Sequence, residues 1–142
     1  MAEVTESEAI ASARAQLRLG EHVAVDAWKV QRIDRTGESY WLVIFGERDA
    51  AVGAGAIDAQ TGEVMVSASL PGTQKQLAVD AATALQIAGM PPGTPIRLAW
   101  KSCPASRSPL YPLWEIVGGN ETIYVDQQAK LWRSLAGRDR GG

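Results

Sequence analysis

His22 is the only histidine in the chain, and its side chain is the one whose ordinary pKa suits proton transfer near neutrality. It could act as a general base if carboxylates or a nucleophile converged on it, and Asp26, Asp34 and Asp58 are the acidic side chains available for that role. Its setting, LGEHVAV, marks the start of a strand after a helix stop, which favours a position with no chemistry. Cys103, the only cysteine, lies in WKSCPASRSPLYP. Lys101 and Arg107 are near enough in sequence to lower a thiol pKa, yet a plain loop thiol is the simpler reading. One cysteine allows no intrachain disulfide and no zinc cluster. With no His-x-x-x-His, Cys-x-x-Cys or acidic triplet, no metal and no cofactor are expected.

Two further stretches resemble sites but read better as architecture. AAVGAGAI (50–57) is glycine-rich, but a phosphate cradle needs its glycines to lead into a helix, and these lead into another strand. Gly53 and Gly55 fit a bulge or a sharp bend instead. In AIDAQTGEVMV (56–66), Asp58 stands before a polar stretch and Gly62. An aspartate there bonds backbone N–H groups two residues on, and the glycine takes the positive φ that closes a hairpin. Asp58 is therefore read as a turn former.

Such residues must be held by regular elements, and the punctuation of the chain is clear. Thr5 and Glu8 form a capping box; Ala9, Ile10, Ala13 and Leu17 make an apolar stripe, and Gly20 is the expected stop. Thr73 and Gln76 suggest a second box, followed by Leu77, Ala81, Leu85 and Ala88 and stopped at Gly89. After each helix come apolar strands: Val23–Ile33 and Ile96–Lys101, SYWLVIF (39–45) and PLWEIV (112–117), then GAIDAQTGEVMVSAS (55–69) and IYVDQQAKLWRSL (123–135). This predicts a duplicated helix–strand–strand–strand unit that aligns Trp28 with Trp100, Trp41 with Trp114, and Asp58 with Asp126.

With 142 residues, 46% hydrophobic and 21% charged, the chain falls in the ordinary globular class. The net charge of −2 comes from interspersed charges, with no clustered basic face for nucleic acid. No segment is apolar enough for a membrane span, and the N-terminal residues lack the pattern of a secretory signal, so a cytoplasmic location is expected. Five tryptophans against one phenylalanine is an unusual aromatic mix. Tryptophan suits core edges and interfaces because its ring is apolar and its N–H needs a partner.

The run YWLV…AIDAQTGEV after a leading helix resembles the PepSY-type domain, and IYVDQQAKLW looks like a decayed second copy with Ala129 at the expected turn glycine. Similar hairpins occur in small bacterial toxin-immunity proteins. The resemblance implies a helix on a curved antiparallel sheet and a binding or inhibitory role instead of catalysis; it transfers no catalytic residues.

The expected fold is α+β, two similar helix-plus-antiparallel-sheet halves (1–72 and 73–136) packed as one unit, with a flexible tail at 137–142. The expected function is a non-enzymatic protein- or peptide-binding module, inhibitory or immunity-like. Its candidate contacts are Trp41, Trp114, Cys103, Arg107 and Tyr111, with 102–112 as a recognition loop and a sheet edge available for a homodimer or an added strand. The alternative is a small-molecule-binding protein or enzyme with a Trp-lined pocket under a curved sheet, served by His22 and the three aspartates. The tryptophans are read as core in preference to groove.

Overall fold

The computed structural model describes residues 3–135; the expected tail at 137–142 lies outside them. The fold is α+β, and the described residues form two helices and one eight-stranded mixed sheet. Helix α1 (Glu6–Leu17) leads into β1 (Val25–Arg32), β2 (Ser39–Glu47), β3 (Ala50–Asp58) and β4 (Val64–Gln74). Helix α2 (Ala81–Ala88) leads into β5 (Ile96–Trp100), β6 (Leu113–Gly118), β7 (Glu121–Val125) and β8 (Leu131–Trp132). Four strands follow each helix, where three were expected, because the Asp58 and Asp126 segments each fold back as a hairpin.

The sheet order is β4-β3-β2-β1-β5-β6-β7-β8. Every neighbouring pair is antiparallel except the central one, in which β1 and β5 run parallel through Gln31–Ala99 and Arg32–Trp100. That short ladder is reinforced by side chains. Tyr40 and Trp100 meet edge to face at 6.1 Å, and the Arg32 guanidinium lies 5.7 Å from the Trp100 ring centre.

Alternation along β2 explains the layers. Val43 and Phe45 face α1 and pack with Ala9, Ala13 and Ile57. Leu42 and Ile44 point to the opposite face and share a core with Ala84 and Leu85 of α2, and with Leu98, Trp114 and Ile116. The two helices thus cover opposite faces of one sheet. The second core draws on strands from both sides of the β1–β5 seam, so neither side buries its apolar surface alone. Each large side chain so buried contributes roughly 1.5–3 kcal/mol.

Gly53 sits beside a register shift in the β3–β4 ladder, as a bulge glycine should. Gly55 acts differently. A Cβ there would meet the Ala13 methyl at 3.4 Å, an ordinary van der Waals contact, which places α1 directly over β3 at this point.

Both helix ends differ from expectation in an informative way. The Thr5–Glu8 box is present, but α1 stops at Leu17 because Arg18, not Gly20, takes the left-handed conformation at φ 58°. Helix α2 starts at Ala81 with Asp80 as its cap, and the Thr73–Gln76 box does not form. Residues up to Gln74 continue β4, and the Gln76 amide is committed to Asp26 Oδ2 (2.8 Å) and the Gly46 carbonyl (3.0 Å). Gly89 ends α2 at φ 71°, as its sequence predicts.

Candidate functional site: a groove between a strap and a loop

Residues 75–80, freed from the expected helix, form a strap joining β4 to α2. It is held at both ends. Near its start, the Gln76 N–H donates to the Arg48 carbonyl at 2.9 Å, while the Gln76 side chain makes the bonds given above. At its end, the buried Trp114 indole donates to the Val79 carbonyl at 2.7 Å, and the Val79 N–H donates to Gln127 Oε1 at 2.9 Å. Between these pins, Leu77 and Ala78 make no hydrogen bond with any described residue.

The facing bank is the loop 102–112, which is well anchored. Cys103 and Ser106 bond backbone to backbone in both directions at 3.0 Å. The Ser106 hydroxyl accepts from the Trp100 indole at 3.1 Å and donates to the Tyr111 carbonyl at 2.5 Å. Tyr40 donates its hydroxyl to the Pro109 carbonyl at 2.8 Å, and burial pushes that hydroxyl's pKa well up. The Gln127 amide also reaches the Pro112 carbonyl at 3.1 Å, so one side chain ties the strap to the loop.

Between the banks lies a groove of about 590 Å³, with Lys75 and Leu77 on one side, Arg107, Leu110 and Tyr111 on the other, and Gln128 at its end. Tyr111 is 47% exposed, one of two large hydrophobic residues that stand out from the surface among the described residues. Neither Lys75 nor Arg107 has an ion pair or hydrogen bond among the described residues. The one carboxylate in the lining, Asp126, is already satisfied. Its Oδ1 accepts from the N–H groups of Gln128 and Lys130 at 2.9 Å each, and its Oδ2 accepts from the Trp132 indole at 2.8 Å. A second depression of about 490 Å³ shares Lys75 and Leu77 of the strap and is also bordered by Trp28, Arg48, Asp49, Asp80, Thr83 and Trp114.

Of the five candidate contacts, Arg107 and Tyr111 stand together in the first groove, and Trp114 forms part of the second. Cys103 is buried beneath the loop with Leu113 and Leu135, so its thiol serves packing. Trp41 belongs to the opposite face with α1, where its indole donates to the Val4 carbonyl at 2.9 Å and Lys29 Nζ sits 5.8 Å from its ring centre. The strap was missed because Thr73, Gln76 and Leu77 mimic the start of a helix, and Gln127 because its partners, Val79 and Pro112, are remote in sequence.

The residues considered for proton transfer do not converge. His22 is exposed, Asp26 is bonded to Gln76, and Asp34 pairs with Arg32 at 2.9 Å. Hydrogen bonding and charge from Arg32 hold the Asp34 carboxyl below its ordinary pKa. Asp58 Oδ1 accepts from the N–H groups of Gln60 (2.7 Å) and Thr61 (3.1 Å), and Gly62 has φ 80°, so the turn reading matches the geometry. None of the four lines either groove. Among the described residues, no group of three His, Cys, Asp or Glu is placed to hold a metal ion, and no helix is long and apolar enough to cross a membrane.

No protein-family model matches the chain, and no curated protein matches its sequence. Among solved structures, the chain is similar to one described as a "putative lipoprotein" from Clostridium difficile 630. The identity is 12% over 93% of this chain and 92% of that one, with a TM-score of 0.38.

Proposed function

We propose that this chain is a non-enzymatic module that binds a protein or peptide in the groove between the strap and the loop, as an inhibitor or immunity factor would. The observation that carries this reading is an exposed Tyr111 held on a loop pinned by Tyr40, Trp100 and Ser106. An aromatic on a rigid bank adds contact area at little entropic cost, as in hot spots of protein interfaces.

The same reading treats the chain as two PepSY-like copies, and three paired details support it. The Trp41 and Trp114 indoles each bond the carbonyl just before a helix cap, at Val4 and Val79. Asp58 and Asp126 each accept two backbone N–H groups of the turn that follows. Gly62 and Ala129 both take positive φ, at 80° and 67°. In this register Lys29 opposes Trp41 and Leu98 opposes Trp114, which pairs Trp28 with Arg97 instead of Trp100. The outer edge of β4 is where a second copy would add a strand.

Selection from a displayed random-peptide library tests the binding role. Enriched peptides should lose binding to the Tyr111→Ser chain and keep it with Trp41→Phe. Failure to enrich any peptide, or binding that survives Tyr111→Ser, would contradict it.

A further inference from the structure

Resting on that binding role, we infer that the groove selects an acidic peptide segment, with carboxylates placed against Lys75 and Arg107 and an apolar side chain against Leu77, Leu110 and Tyr111. Charge complementarity is the basis. The two cations come from opposite banks of one groove, and neither makes a salt bridge or hydrogen bond with a described residue, although Lys75 lies near enough to Asp80 for its charge to help lower that carboxyl's pKa. The one carboxylate in the lining, Asp126, is buried and turned to backbone and indole N–H groups, so the lining sets two cations against a single buried carboxylate. The groove lining therefore has an excess of one positive charge although the whole chain carries −2, and such local focusing favours an anionic ligand over a neutral one.

Two observations bear on what kind of anion. Lys75 and Arg107 share the lining with the apolar Leu77, Leu110 and Tyr111, so a ligand touching all of them needs both charged and hydrophobic groups. On the strap, the backbone N–H and C=O groups of Leu77 and Ala78 make no hydrogen bond with any described residue. A peptide main chain can pair with such groups, and a compact ion cannot satisfy both kinds at once. The carboxylate on the strap, Asp80, borders the other depression, which Lys75 also borders, and it caps α2 by accepting from the Thr83 N–H at 2.8 Å.

The test uses the full chain and a fluorescent peptide in which Asp and Glu flank a Leu-Phe pair, compared with its Asn/Gln counterpart. Fluorescence anisotropy should show the acidic peptide binding at least ~10-fold more tightly, an advantage that shrinks as salt screens the charges. Lys75→Gln combined with Arg107→Gln should remove that advantage. Lys29→Gln, on the α1 face where Lys29 pairs with Glu3, should leave it intact. Inorganic phosphate at equal charge should not compete. Equal affinity for the two peptides, with both lost in Tyr111→Ser, would overturn the acidic preference while leaving the groove as a peptide site. Loss of the preference in Lys29→Gln, or full competition by phosphate, would also overturn it. Binding of neither peptide, while library-selected neutral peptides bind at Tyr111, would do so as well.

Discussion

Two single residues carry the sharpest tests of local structure. Ala129 holds φ 67° with its N–H bonded to the Asp126 carbonyl, a conformation that costs an L-residue roughly 1–2 kcal/mol and a glycine almost nothing. Glycine is also looser in the unfolded chain, which takes back part of the gain. Ala129→Gly should therefore stabilise the fold by about 0.5–1 kcal/mol, read as a higher denaturation midpoint. Trp114→Phe tests the pin beneath the strap. It leaves the Val79 carbonyl without its donor in a buried setting, at a cost of about 1–3 kcal/mol from that bond, plus lost packing. Trp41→Phe breaks the matching bond to Val4 in a half-buried setting and should cost less. Urea denaturation of both variants orders them. The hairpin roles of Asp58 and Gly62 were legible because the chemistry is local: a short acidic side chain and a residue free of Cβ.

At the scale of elements, the sequence was informative wherever a pattern had one structural outcome. β2 reads as SYWLVIF and is buried on both faces; the Thr5–Glu8 box starts α1 where it should. The second helix misled because Thr73–Gln76 has the composition of a box, and its outcome depends on tertiary partners. Gln76 finds Asp26 and Gly46 across the fold, and the start passes to Asp80. The groove was half legible: Arg107 and Tyr111 lie in a proline-rich loop, while Lys75 and Leu77 were hidden inside the apparent helix. Asp80 also predicts a pH response. Backbone and side-chain bonding to Thr83 holds its carboxyl below the ordinary value, and Arg32 does the same for Asp34. A depressed native pKa gives stability that is present above the unfolded value of about 4 and is lost as pH falls through the lower native value. Denaturation midpoints should be flat from roughly pH 7 to 5 and decline below about 4. Asp80→Asn, an equally good cap that does not titrate, should reduce that decline. An unchanged acid profile in that variant would contradict the assignment to the α2 cap.

For the whole molecule, the parallel β1–β5 seam and the core crossing it couple the two sides. Helical circular dichroism and tryptophan fluorescence should then report one coincident unfolding transition, whereas two separated transitions would contradict a single folding unit. How the two sides join was not legible in the pattern, since a strand's preference for its neighbour depends on edges that sequence does not mark. The placement of α1 and α2 on opposite faces has the same origin. That topology sets the strap and the loop on either side of the groove where a peptide is proposed to bind. The most direct measurement is an amide chemical-shift map of the labelled full chain titrated with a library-selected peptide. Shifts concentrated at 74–78, 104–111 and 126–128 are the predicted result. Shifts confined to the outer edge of β4 or to the α1 face, with those three segments unmoved, would contradict it.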